Sequence, residues 1–159
     1  MSKSAPEQFM QAAIDAALKG VRAGLGGPFG ACIVHENKII AATHNTVLGD
    51  QDPTCHAEMN AIRAAAKHLN THILEHCILY TTAEPCPMCL SAIYWARIPE
   101  YYVGVNRETA AEFGFDDRFF YEELAQPAPK RTLKSHENIQ APACRAVFET
   151  WQALNGTLY

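Results

Sequence analysis

The sequence has no apolar run long enough to span a membrane, and Met1-Ser-Lys-Ser-Ala-Pro-Glu7 lacks the apolar core of a secretory leader. These absences predict a soluble, cytoplasmic protein with no membrane partner. A basic stripe is missing too. The formal charge is −4 at pH 7, with cations and anions interspersed, and only Lys130-Arg131 and Lys134 gather, in a proline-rich stretch. Proteins that hold a long nucleic acid draw most of their affinity from neutralising phosphates. This balance speaks against a nucleic-acid partner and for a small uncharged one. No internal repeat or low-complexity tract interrupts the chain.

What is present is a chain of 159 residues, 48% apolar, which suits a single domain over 1–159 with a core of its own. A chain this well filled needs no disulfide staples, although it carries six cysteines. Cys32, Cys77 and Cys144 fall in apolar segments and read as small core residues, as does Cys55. The remaining two form Cys86-x-x-Cys89, a spacing that in a reducing compartment signals metal or redox chemistry.

Helix and strand signals alternate. Pro6 opens a helix carried by Phe9, Ala13, Ile14, Ala17, Leu18 and Val21 up to Gly24. Two short apolar runs, Ala31–Val34 and Lys38–Ala42, flank His35-Glu36-Asn37 as a hairpin. A second helix is expected from Asp52-Pro53-Thr54 to about Asn70, then a buried strand, Cys77–Thr81. Pro85 and Pro87 open a third helix, and Tyr101–Val105 is a further strand. Thr109–Leu124 reads as helix broken at Gly114, 126–142 as a linker, and Cys144–Leu154 as a last helix. The alternation predicts an α/β sandwich around a mixed sheet. A linker this long leaves 126–159 free to pack on its own body or on a neighbour's.

The chemistry lies in His56-Ala-Glu58 and Pro85-Cys-Pro-Met-Cys89. One imidazole and two thiolates are three zinc ligands, which leaves a fourth tetrahedral position open, as a catalytic site needs. Cys86 and Cys89 lie one helical turn apart, at a helix N-terminus that favours thiolates. His56 and Glu58 would point to opposite sides of a regular helix, so both can serve only if His56 precedes the first helical residue. Zinc would lower the pKa of a water from ~16 to about 7, with Glu58 as general base and proton shuttle. Backbone N–H groups at the two helix starts, Ala57 and Cys86 first among them, would steady the developing charge. A structural zinc would instead need a fourth ligand, with Cys144 or Cys55 as candidates, and would leave Glu58 idle. The joint H-x-E…P-C-x-x-C pattern is that of zinc-dependent nucleobase deaminases.

At these residues the chain resembles the cytidine deaminase superfamily, and within it the small bacterial guanine deaminases. The likeness extends to Gly26-Gly-Pro-Phe-Gly-Ala31, Asp52-Pro-Thr-Cys-His-Ala-Glu58, Ala92-Ile-Tyr-Trp-Ala-Arg97 and Gly114-Phe-Asp-Asp-Arg-Phe119 through Tyr121. The tRNA adenosine deaminases share the Pro-Phe-Gly-Ala and Glu-Pro-Cys-Pro-Met-Cys segments. After Tyr101, however, they carry a Lys-Thr-Gly-Ala-type segment where this chain has Asn106-Arg-Glu-Thr-Ala-Ala-Glu-Phe-Gly-Phe-Asp-Asp117. Cys55 departs from the alanine common in the guanine enzymes.

The resemblance implies a three-layer cytidine-deaminase-like sandwich with a mixed five-stranded sheet, and one zinc per subunit on His56, Cys86 and Cys89. It further implies a homodimer that swaps its C-terminal segment, and zinc-dependent hydrolysis of guanine at C2 to xanthine and ammonia. Asn45 would then hydrogen-bond the base, Phe29 and Trp95 would wall the pocket, and Asp117 would accept from the guanine N–H groups. Tyr159 would close the site, and Glu122 or Glu123 would be a second proton carrier. The competing readings are deamination of tRNA adenosine, another base or an amino-triazine, and a zinc-stabilised binding protein without catalysis.

Overall fold

The structure, a computed structural model, describes residues 4–159; Met1 to Lys3, part of the segment read above for a leader, lie outside the described residues. Two compact units divide the chain, Met1–Asp117 and Arg118–Tyr159. The first holds α1 (Ala5–Arg22), β1 (Gly30–His35), β2 (Lys38–His44), α2 (Val47–Asp50), α3 (Ala57–Leu69), β3 (Cys77–Ala83), α4 (Pro87–Trp95), β4 (Glu100–Val105) and α5 (Arg107–Glu112). The second holds α6 (Arg118–Ala125), a 3₁₀ turn at Ala128–Lys130 and α7 (Ala141–Ala153). No described helix is long and apolar enough to cross a membrane.

Helix α1 starts where the Glu7 carboxylate accepts the Ser4 N–H at 2.7 Å, with Pro6 in its first turn. The β1–β2 hairpin closes through Glu36 and Asn37, both left-handed (φ 48° and 61°), the two-residue turn that matches strand twist. The sheet order is β2-β1-β3-β4; β1 runs antiparallel to both its neighbours, and β4 pairs parallel with β3 across the α4 crossover.

Strand alternation sorts the core into two layers. Ala31, Ile33 and Leu79 point to the side where Ala57, Ala61 and Ala65 of α3 and Ile93 of α4 pack. Cys32, Val34 and Tyr80 point to the other, against Phe9 and Ala13 of α1. Burying Ile33 and Leu79 completely contributes about 1.5–3 kcal/mol each. Helix α1 comes so close to β1 that a Cβ on Gly30 would lie 2.9 Å from the Ala17 backbone nitrogen. The first unit is therefore helix, mixed sheet, helix.

Four strands form this sheet among the described residues, not the five implied above. Past β4, Asn106 turns the chain into α5, its Oδ1 accepting the Thr109 N–H at 3.1 Å. Further on, Pro127 and Pro129 remove ladder donors from the stretch between α6 and α7. The helix expected from Asp52 begins at Ala57 instead. Asp52 Oδ1 accepts both the N–H and the hydroxyl of Thr54 at 2.7 Å, which holds 52–55 in a turn ahead of the helix. Cys32, Cys55 and Cys77 are buried as expected, but Cys144 is exposed near the start of α7.

In the second unit, Arg131 Nε donates to the carbonyls of Glu123 and Gln126, at 3.1 and 2.9 Å, and closes the end of α6. Helix α7 carries an apolar face, Val147, Phe148, Trp151 and Leu154, that is exposed in the single chain.

Candidate active site

Two residues sit just outside a helix in the same way. His56 caps α3 at φ −67°, ψ 157°, and Cys86 caps α4 at φ −65°, ψ 167°. Their extended backbones meet the geometric demand noted above: His56 turns aside from α3 while Glu58, inside its first turn, points into the core. Strand β3 leads directly into Cys86. His56 Nδ1 thus lies 3.5 Å from both Cys86 Sγ and Cys89 Sγ.

These three side chains form the metal-ligating group found among the described residues, and neither Cys55 nor Cys144 joins it. The ligand set fits zinc: bond lengths of about 2.0–2.1 Å to nitrogen and 2.3 Å to sulfur at tetrahedral angles put N and S about 3.5 Å apart. With three protein ligands the site has room for a water, and the structural-zinc alternative has no fourth ligand among the described residues.

Charge in the cluster favours metal capture. The Cys89 thiol bonds toward Cys86 and brings the Cys86 pKa down to about 4, with His56 helping. That bond and burial push Cys89 up in turn, so one proton is shared within the pair. His56 is raised, first by its bond to Cys86. Zinc uptake must expel the Cys89 proton, so affinity rises with pH.

Glu58 is 5% exposed. Its Oε1 lies 3.2 Å from the Thr81 hydroxyl, and its Oε2 lies 3.6 Å from Cys89 Sγ. Burial raises its pKa above the ordinary carboxylate range, and the Cys86 charge adds to this. A buried carboxylate whose charged form is disfavoured in this way is a candidate proton carrier. Thr81 escaped the sequence reading. Its signal in the sequence is weak, since Tyr80 and Thr82 beside it in β3 also carry hydroxyls.

The base-reading candidates gather at the same end of the sheet. Asn45 follows β2 and is 5% exposed; its Oδ1 accepts the N–H groups of Gly27 (3.3 Å) and Val47 (3.1 Å). Gly26 has to be glycine here, since a Cβ would lie 2.6 Å from the Asn45 carbonyl oxygen. Phe29 precedes β1, accepts the Asn45 N–H on its carbonyl, and meets Phe115 edge-on at 4.9 Å. Ala57 opens α3, fully buried. Asp117 ends the segment after α5; burial first, then the Cys86 charge, raises its pKa, and Arg107 opposes this. Trp95 stands at the far end of α4 from the ligand pair and is exposed. Glu122 on α6 and Tyr159 at the chain's end belong to the second unit and are also exposed.

The zinc-binding region of cytidine and deoxycytidylate deaminases matches residues 3–105. The chain belongs to the cytidine and deoxycytidylate deaminase family. Within that family it is 47% identical to the guanine deaminase of Bacillus subtilis, over 92% of this chain and 93% of the relative. The crystal structure of that guanine deaminase superposes with a TM-score of 0.88 at 46% identity, covering 92% of this chain and 93% of the other. A tRNA-specific adenosine deaminase of Aquifex aeolicus is also 47% identical, but over 58% of this chain and 60% of its own. The family supplies what the ligand set alone left open: the chain is a zinc-dependent deaminase.

Proposed function

We propose that this chain hydrolyses guanine to xanthine and ammonia. The observation that carries the reading is 47% identity to a guanine deaminase over 92% of the chain; the Aquifex tRNA enzyme reaches that identity over 58% only, and a tRNA-specific deaminase that matches 78% of the chain is 30% identical. The pocket chemistry supports it. Asn45 has committed its oxygen to two backbone N–H groups, so its NH₂ is left to donate. Guanine offers an acceptor at O6 where adenine carries an amine. The Asp117 carboxylate suits the N1–H and amine donors of guanine, with Phe29 and Ala57 walling the ring.

Bound zinc supplies Lewis acidity that brings a water's pKa to about 7. Glu58 accepts the water proton, since its carboxylate is buried beside the ligands with Thr81 fixing one oxygen. As the water oxygen bonds to C2, Glu58 returns that proton to ring N3. It then carries the remaining hydroxyl proton to the amine as the C2–N bond breaks, releasing ammonia and xanthine. The backbone N–H groups of Ala57 and Cys86 steady the developing charge. Glu122 is the second proton carrier in this reading, because the Glu123 carboxylate already accepts the N–H and hydroxyl of Thr132 at 2.7 Å. Glu122→Gln then loses turnover at full zinc content; unchanged turnover removes it from the mechanism.

The working form is a homodimer that exchanges the C-terminal unit, with Trp95 and Tyr159 completing the wall and cap of the pocket. Exposed apolar surface supports this: Val147 and Phe148 of α7 are 67% and 74% exposed, and Tyr101, Val103 and Val105 of the edge strand β4 are uncovered. Sedimentation equilibrium should give twice the chain mass, and a monomer at all concentrations would remove the exchange. Six cysteines with no disulfide among them suit a reducing, cytoplasmic setting.

The substrate assignment is tested by incubating zinc-loaded protein with guanine, adenine, cytosine, cytidine and an adenosine-containing tRNA stem-loop. Ammonia and xanthine from guanine alone are expected. Turnover of the stem-loop in place of guanine would overturn the assignment and keep the zinc chemistry.

A further inference from the structure

We propose that Glu84 is a positioning residue that ties the segment carrying Asp117 to the metal-binding turn, setting substrate affinity without touching metal or base. It rests on the guanine reading for its kinetic test, but the tie itself can be measured without substrate.

Glu84 lies between the last residue of β3 and Pro85-Cys86, so its backbone is part of the turn that presents the metal ligand. That backbone is held in the sheet, its N–H donating to the Val105 carbonyl at 2.9 Å. The side chain reaches the other way. Its Oε2 accepts the Arg107 backbone N–H at 3.1 Å, and its Oε1 lies 3.6 Å from Arg107 Nε.

Arg107 is the first residue of α5, a helix of six residues and too short to persist unaided. A carboxylate on an N–H of its first turn satisfies a donor with no intrahelical partner and sits at the favourable end of its dipole. Asn106 caps the same turn through Thr109. The other end of the segment is held by Phe115 against Phe29, two residues before Asp117. Glu84 and Phe29 thus anchor the stretch 107–117 near its two ends. Phe29 also accepts the Asn45 N–H, so the two base-reading side chains share one frame.

The ionic component is weak, because both side chains are more than a third exposed. The bond to the backbone N–H is what holds α5, and that distinction can be tested. Glu84→Gln keeps an oxygen for the N–H, whereas Glu84→Ala does not. Proline is well tolerated at the first helical position, so Arg107→Pro removes the N–H while keeping the helix; Arg107→Ala is its control.

The experiment measures kcat and KM for guanine, zinc content, and amide exchange in these four variants and the wild type. Glu84→Ala and Arg107→Pro are expected to raise KM about tenfold with kcat within about threefold. Zinc should stay at one per chain, and exchange should quicken across 107–117 but not across α3. Glu84→Gln should keep KM within about threefold of the wild type, and Arg107→Pro should exceed Arg107→Ala severalfold in KM, since both lose the charge facing Asp117 and only the proline loses the N–H. Unchanged KM and exchange in Glu84→Ala and Arg107→Pro would overturn the proposal, as would a loss traced to zinc. If the wild type leaves guanine untouched, the substrate reading falls, and the exchange data alone decide the tie. Should Glu84→Ala not fold, the two Arg107 variants decide it.

Discussion

Glu58→Gln is expected to lower guanine turnover by about 10³-fold while zinc stays at one per chain, the scale of losing a positioned general acid–base group. Glutamine has nearly the same shape, and its carbonyl oxygen can keep the contact with Thr81, which lies 3.2 Å from Glu58 Oε1. What it cannot do is accept a proton. A folded, zinc-loaded and inactive variant therefore separates proton transfer from metal binding, whereas turnover near wild type would place the shuttle elsewhere.

The same pair of proteins carries a pH signature when metal-free. Burial lifts the Glu58 pKa in the folded state above its ordinary value of 4.5. A group raised in this way contributes its full stability below the unfolded value and loses it as pH rises through the folded value. Metal-free wild type should therefore lose stability relative to Glu58→Gln as pH climbs above the ordinary value of 4.5 and through the raised folded value. Denaturant midpoints at several pH values read the difference directly. A constant gap would mean that Glu58 ionises in the fold as freely as in water.

Cys89→Ala is the second large effect: zinc falls to trace levels, and deaminase activity goes with it. Cys89 is fully buried, and its Sγ is 3.5 Å from His56 Nδ1. Removing it leaves two ligands that cannot hold the ion against dialysis. A ligand that binds only the folded state stabilises it by RT ln(1 + [L]/Kd), about 2.7 kcal/mol at 100 Kd. Melting temperature should thus rise with added zinc in the wild type and stay flat in Cys89→Ala. Metal analysis and thermal scans check both halves, and full zinc occupancy in the variant would remove Cys89 from the ligand set.

The site was legible where its logic is local. The spacing of Cys86 and Cys89, and the need for His56 to precede the helix, follow from helix geometry, and the backbone angles meet that demand. The hairpin at Glu36-Asn37 and the break at Gly114 announce themselves through turn chemistry. What stayed hidden depends on contacts across the chain. Thr81 serves Glu58 from a strand 23 residues away, and Glu84 reaches Arg107 over the same separation. The start of α3 was misjudged because Asp52 looks like a helix cap, when it ties up Thr54 in a turn. Cys144 falls in an apolar segment, which reads as core, yet it is exposed, as is the apolar face of its helix in the single chain.

The central claim is that the metal-bound pocket adds water to C2 of guanine. Turnover of guanine in H₂¹⁸O with zinc-loaded protein, read by mass spectrometry of the product, tests it most directly. Xanthine carrying one ¹⁸O, with one ammonia released per xanthine, is the predicted result. Guanine recovered unchanged, while adenosine in a tRNA stem-loop gains the label as inosine, would contradict it.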